Sequence, residues 1–162
     1  MATTYDPIAT ITASGNPTGI TFSSIPSTYT DLKLVCVGTA AGLIEVTFNS
    51  DTSTSYSQTA MFGNGSTATS SSVTSKAFIY LSYAASPSST IPTFYSMDIF
   101  SYAGSTYKTC LITESEDFNG SGASGVDAAL WRKTSAINTI YIFSPANLNT
   151  GFTATLYGIK SA

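Results

Sequence analysis

Apolar and polar side chains alternate along most of the chain, which is the pattern of half-buried β-strands. The segment 43–49 reads LIEVTFN, in which apolar residues alternate with Glu45 and Thr47. Eleven segments of this kind are rich in β-branched and aromatic residues, and most are bounded by Gly, Pro, Asn or Ser. The predicted strands are 8–12, 18–22, 31–39, 43–49, 56–62, 76–83, 93–102, 107–113, 126–132, 137–143 and 152–159.

Three other segments need separate interpretation. The window 127–133, DAALWRK, has some helical character, but it is too short for a stable helix and also alternates, so we interpret it as a strand. The segment 64–75 is of low complexity, and 114–125 is acidic and then rich in Gly and Ser. We expect both of these to be long loops at an end of the fold.

The strand pattern predicts an all-β protein with little or no helix. About ten short strands, with turn signals roughly every ten residues, are typical of a single antiparallel β-sandwich, here expected to be jelly-roll-like. The length of 162 residues suits one domain over 1–162. The opening MATTYDPIATITASG lacks the basic and apolar regions of a secretory signal, and no run approaches the 18 apolar residues of a membrane-spanning helix.

The composition argues against most catalytic and nucleic-acid-binding functions. The chain has no His, which excludes His-based triads and His-ligated metal sites. Its 26 Ser and 26 Thr could act as nucleophiles only beside a base, and without His that base would have to be a lysine. The net charge of −3 does not suit nucleic acid or an anionic membrane. We therefore expect a protein that is not an enzyme, has no cofactor and binds neither nucleic acid nor membrane.

Carboxylates in two segments are candidates for a cation site or a catalytic pair. Glu114, Glu116 and Asp117 lie within four positions and could bind a hard cation, but their spacing matches no known cation loop, and a solvated acidic loop is the favoured interpretation. Asp98 alternates with Ser96 along a predicted strand. It could belong to a carboxylate pair, but we favour a strand residue that accepts hydrogen bonds at a sheet edge.

The two cysteines, Cys36 and Cys110, lie in apolar segments that read as strands. They could form a disulfide or supply a reactive thiol. Without a secretory signal, we favour two buried free thiols that act as small apolar side chains.

The ten Tyr and nine Phe residues are numerous for a chain of this size. Tyr80, Tyr83, Tyr95 and Tyr102 lie close together in the middle segments and are weak candidates for an interface, because a tyrosine ring suits both protein contacts and sugar stacking. Equally, these rings could cover edges and loops of the monomer. A surface rich in hydroxyls and poor in charge is more natural when much of it is buried in an assembly.

Short motifs from one end of the chain to the other carry a family resemblance. They are ATTYDPIAT at 2–10, ITFSSIP at 20–26 before YTDL at 29–32, NSD at 49–51 before YS at 56–57, IFSY at 99–102 before YKT at 107–109, LWR at 130–132 before SAIN at 135–138, and FTATLYGIK at 152–160. Together they resemble a family of small virion structural proteins of tailed bacteriophages. That resemblance implies a β-sandwich fold and a location in the virion, which is assembled in the host cytoplasm. Members of the family are assigned to the head or to the tail.

Two functions are therefore expected, and the first is favoured. It is a capsid decoration, or cement, protein that binds the major capsid protein and its own copies, with a homotrimer as the favoured oligomer. The alternative is a tail-fibre or baseplate module that binds tail proteins and a host surface glycan or protein. A fibre module is normally joined to a shaft or adaptor in the same chain, which favours the cement role.

Overall fold

A computed structural model describes residues 4–84 and 86–160 of the chain. The ends of the predicted domain 1–162, including Ala2 and Thr3 of the first family motif, lie outside the described residues. The described part contains twelve strands and no helix. The strands are β1 Tyr5–Thr12, β2 Gly19–Phe22, β3 Asp31–Gly38, β4 Glu45–Phe48, β5 Tyr56–Gly63, β6 Ala68–Lys76, β7 Ile79–Tyr80, β8 Thr93–Ile99, β9 Lys108–Asp117, β10 Gly122–Trp131, β11 Ile140–Phe143 and β12 Thr153–Ile159.

The strands form two antiparallel sheets that make a sandwich-like fold. The large sheet has eight strands in the order β1-β12-β3-β8-β9-β10-β5-β6, and the small sheet has four in the order β2-β11-β4-β7. From β2 to β12 the chain passes repeatedly between the two sheets. The expected all-β antiparallel sandwich is confirmed. Across residues 4–84 and 86–160, there is no helix with the length and apolar character needed to cross a membrane.

Apolar side chains from the facing sides of the two sheets form one buried cluster. At one end of it, the Trp131 ring stacks on Tyr56 at 6.3 Å between centroids and meets Phe48 edge-on at 5.5 Å. The indole Nε1 of Trp131 donates a hydrogen bond of 2.7 Å to Oδ2 of Asp51. Burial opposes ionisation of Asp51, but hydrogen bonds from Ser53, then Ser55 and Trp131, outweigh it and hold its pKa below the usual range. The Asp51 carboxylate thus accepts the hydrogen bond of the buried Trp131 indole.

The sequence-based strand limits need three corrections. The segment 64–75, expected as a loop, contains most of β6, which pairs with β5. The segment 114–125, also expected as a loop, forms the ends of β9 and β10 and the turn between them. The predicted strand 76–83 shortens to β7, which has two residues. By contrast, the strand interpretation of DAALWRK is confirmed up to Trp131.

Both cysteines are buried and free, as expected. Each lies on an inward-facing position of the large sheet, Cys36 on β3 and Cys110 on β9. Burial raises the pKa of both thiols, so neither has the ionised form that reacts or binds metal.

Candidate functional site

The side of the large sheet that points away from the small sheet is unusually apolar. We call the outward-pointing side chains of β3, β8, β9, β10 and β5 the outer face. Nine large apolar side chains are exposed in the described residues, and five of them belong to this face. These five are Val37, Met61, Phe94, Leu111 and Val126, with exposed fractions between 40% and 66%.

Strand register brings these side chains together in pairs. Val37 on β3 lies opposite Phe94 on β8, and Val126 on β10 lies opposite Met61 on β5. Leu111, on β9 between them, has the small Ala128 as its neighbour on β10. Side chains opposite each other on one face are about 5 Å apart at their Cβ atoms. The five apolar groups therefore form a broken band across the sheet, which is interrupted by Ser and Thr and, beside Leu111, by Asp98 on β8.

The outer face is also nearly free of net charge. Lys33 on β3 and Asp98 on β8 lie opposite each other and form an ion pair with N–O distances of 2.8 and 3.0 Å. Asp31 and Asp117 lie at strand ends, on its border. Asp98 is therefore a half-buried residue in the interior of the sheet, paired with a lysine, and the expectation of an edge position is wrong.

The whole outward side of the large sheet is large enough for a protein interface. Eight strands about 4.8 Å apart, with about seven residues each at 3.3 Å, span roughly 34 by 23 Å. That area is close to the roughly 800 Å² that each partner contributes to an interface of standard size. The five strands of the outer face span roughly 19 by 23 Å of it, so a complete contact surface would also include the strands beside them.

The acidic residues near the end of β9 do not form the predicted group. Glu114 and Glu116 are buried on the inward side of the strand, whereas Asp117 is exposed. The favoured interpretation of a solvated loop is thus wrong for both glutamates. Within the described ranges, no group of three or more Cys, Asp or Glu residues is placed to hold a metal ion. Glu116 also borders an open cavity of about 300 Å³, which is lined by the adjoining ends of β9 and β10, the turn between them and residues 63–65.

The inward carboxyls form a cluster with Asp127 on β10. Burial, followed by the charge of the nearby Asp127, raises the pKa of Glu114 to about 8, although the backbone N–H of Ala84 donates a hydrogen bond to its Oε1 and opposes the shift. Burial likewise raises the pKa of Glu116 to about 7. It raises that of Asp127 to about 6, although Gln58 donates a hydrogen bond to its Oδ2. Three carboxyl groups with raised pKa values therefore lie at this end of the sandwich.

The four candidate interface tyrosines do not share one environment. Tyr95 and Tyr102 are buried, at 1% and 0% exposed, and the Tyr102 hydroxyl donates a hydrogen bond to the carbonyl of Pro26. This corrects their selection as contact residues, because neither ring reaches the surface. Tyr80 and Tyr83 are half-buried, and contact between these two rings and a partner stays a prediction.

Tyr80 and Tyr83 belong to a chain of six half-buried rings, which we call the aromatic ridge. In order of contact it consists of Tyr141, Phe143, Phe78, Tyr80, Tyr83 and Phe62, with successive ring centroids 4.9 to 6.3 Å apart. The carboxylate of Glu45 lies on the same side of the small sheet, where Glu45 is the cross-strand neighbour of Phe143 and of Tyr80. Sequence reasoning missed the other four rings, because β7 and β11 are short and their order in the sheet was not known.

The comparisons with known proteins return nothing for this chain. No family model, no curated protein and no solved structure matches it.

Proposed function

We propose that this chain is a non-enzymatic structural protein of a bacteriophage virion, and specifically a capsid decoration protein that binds the assembled head shell. The observation that carries the proposal is the outer face, which has five exposed apolar side chains and a single ion pair in its interior. Large apolar side chains gathered on one exposed face are characteristic of interaction sites. The family resemblance of the sequence motifs supplies the virion context.

The mechanism would be burial of the outer face against the major capsid protein. Apolar side chains in the centre of such a contact lose water, while the surrounding Ser and Thr hydroxyls form hydrogen bonds at its rim. An oligomer, for which a trimer is favoured, would engage several capsid subunits at once and gain avidity without strong individual contacts. Because it would bind the assembled shell and not the free subunit, its binding energy would stabilise the shell.

The fold is compatible with this role but does not single it out. Jelly-roll sandwiches occur in viral capsid proteins and also in lectin domains. Fold-level similarity supports a class of function only by association. The preference for a capsid partner over a sugar therefore rests on the extent and neutrality of the outer face.

The aromatic ridge favours a second candidate function, a tail-fibre or baseplate module that binds a host glycan. Tyrosine rings can stack on the apolar faces of sugars, and the buried Glu45 carboxylate could accept hydrogen bonds from sugar hydroxyls. The Lys76 ammonium, 5.7 Å from the centre of the Tyr80 ring, adds a donor at the same place. In this role the ridge, and not the outer face, would contact the ligand.

Binding to isolated heads tests the proposed function. Heads of the encoding phage, assembled without this protein, are mixed with the purified chain and sedimented. We expect the chain to co-sediment with heads in a saturable ratio to capsid subunits, and not to bind unassembled capsid protein. No binding to heads, together with binding to purified tails, would contradict the decoration role and support the second candidate.

A further inference from the structure

The two sheets together have four edge strands. The large sheet ends in β1 and β6, and the small sheet ends in β2 and β7. An edge strand presents unpaired backbone N–H and C=O groups, which can pair with a strand of another chain. Natural proteins protect such edges with short strands, prolines, bulges or charges.

Three of the four edges are protected in these ways. The strands β2 and β7 have only four and two residues. The strand β1 is longer, but it contains Pro7 and an irregularity in register between Pro7 and Ala9. Its Asp6 also forms an ion pair with Lys160.

The fourth edge, β6, lacks these protections over most of its length. Its nine residues read ATSSSVTSK, with no proline and no charge before Lys76. Its register with β5 runs unbroken from Ala68 to Val73, and a shift follows only between Val73 and Lys76. Residues 68–72 are all exposed, and no described strand pairs with the other side of β6. Most of β6 is therefore an uncharged edge strand, and its outer backbone groups pair with no other described strand.

We propose that β6 pairs with β6 of a second copy of this chain, in antiparallel orientation about a two-fold axis. Because β6 has no charge before Lys76, two copies can pair without placing like charges opposite each other. Antiparallel pairing also places the two Lys76 side chains at opposite ends of the contact. A two-fold contact of identical strands is self-complementary and closed. Because the other edges are protected, pairing stops at the dimer and does not continue into a fibre.

The large sheet already contains the side-chain interaction that this pairing would repeat. Across the β1–β12 pair, the hydroxyl oxygens of Thr10 and Thr155 lie 3.0 Å apart, and those of Thr12 and Thr153 lie 3.1 Å apart. Cross-strand hydroxyl pairs of this kind contribute a modest stabilisation to a sheet. The Ser and Thr side chains of two β6 strands can form the same hydrogen bonds, in addition to those of the backbone.

This inference goes beyond the proposed function and does not depend on it. A chain that dimerises through β6 could decorate a head, bind a tail or do neither. A trimer on the head would use a different contact. The oligomeric state in dilute solution therefore tests β6 pairing separately from binding to heads.

The first experiment places lysines on β6. Wild type, a Ser70→Lys/Ser72→Lys variant and a Thr21→Lys/Ser23→Lys control are compared by light scattering over a range of concentrations. Both variants add two positive charges at exposed sites, but the control sites lie on and beside the short edge β2. We expect wild type and control to dimerise alike and the β6 variant to dissociate at least about tenfold more readily.

A second experiment locates the two-fold axis by cross-linking. Ser70, Ser71 and Ser72 are changed to Cys one at a time; because Cys36 and Cys110 are buried, the new thiol is the reactive one among the described residues. We expect a disulfide-linked dimer under mild oxidation at one or two of these positions, and none for Thr21→Cys. A monomeric wild type, a wild-type trimer that persists in the β6 lysine variant, or equal cross-linking at Thr21→Cys would overturn the inference.

Discussion

Raising the pH from about 5 to about 9 is expected to lower the free energy of unfolding by several kcal/mol, because three buried carboxyls lose their protons over this range and one pKa unit of a single group corresponds to about 1.4 kcal/mol. The cause is the inward carboxyl cluster, in which burial raises the pKa of Glu114 to about 8, of Glu116 to about 7 and of Asp127 to about 6. The same carboxyls ionise near pH 4 when the chain is unfolded.

The direction of this effect follows from proton binding. Between about pH 4 and pH 8 the folded chain binds more protons at these sites than the unfolded chain does, so stability falls as the pH rises. Most proteins in which carboxylates are paired show the opposite trend over the acidic part of this range. Chemical denaturation at a series of pH values measures the effect directly.

A matched pair of variants assigns the effect to the cluster. Glu114→Gln keeps an oxygen acceptor for the N–H of Ala84 but removes the acid with the highest pKa among the three. We expect this variant to be more stable than wild type at about pH 9 and to lose much of the pH dependence. Asp117→Asn, on the exposed side of the same strand, is the control and should behave as wild type. Stability that is flat or rises towards pH 9, or an unchanged slope in Glu114→Gln, would contradict this explanation.

The proposed decoration role predicts that lysine substitutions on the outer face weaken binding to phage heads at least about tenfold, since the few residues that dominate an interface account for about 2 kcal/mol or more each. Phe94→Lys and Val126→Lys place a charge in two different parts of the apolar band. Burying that charge against the capsid would carry a large desolvation cost. Both side chains point to solvent in the isolated chain, so folding should be little affected.

Ile91→Lys is the matched control for these two variants. Ile91 is 40% exposed, similar to Phe94 at 42%, but it lies in the segment before β8 and outside the sheet. Co-sedimentation with heads should be retained in Ile91→Lys and lost in the outer-face variants. Equal binding by all three, with their folding confirmed by circular dichroism, would show that another surface contacts the shell.

The fold was largely predictable because most strands have one buried side. Alternation such as that of residues 31–36, where Leu32, Leu34 and Cys36 are buried and the residues between them are less so, follows from that geometry and needs no knowledge of partners. The segment 43–49 is an exception, because β4 is buried on both sides, including Glu45 and Thr47. The strand β6 could not be found in this way, because an edge strand exposed along its length has no apolar alternation to detect. The inward Glu114 and Glu116 were also hidden, since their type predicts exposure and only the pairing of β9 with β10 places them inside.

The interaction surface was less predictable than the fold. A tyrosine suits an interface by its chemistry, but the sequence does not tell whether its position faces the core, and Tyr95 and Tyr102 do. The outer face depends on register between strands far apart in sequence, such as Val37 and Phe94. One local signal for the outer face was present in the sequence. The strand β3 is apolar on both sides, because Val35 and Val37 alternate with the buried Leu34 and Cys36.

The position of the protein on intact virions tests the central claim most directly. Gold-labelled antibody against the chain is bound to purified virions of the encoding phage and imaged by electron microscopy. The decoration role predicts label distributed over the whole head surface, in proportion to the number of capsid subunits. Label confined to the tail or its tip would contradict that role and direct attention to glycan binding at the aromatic ridge.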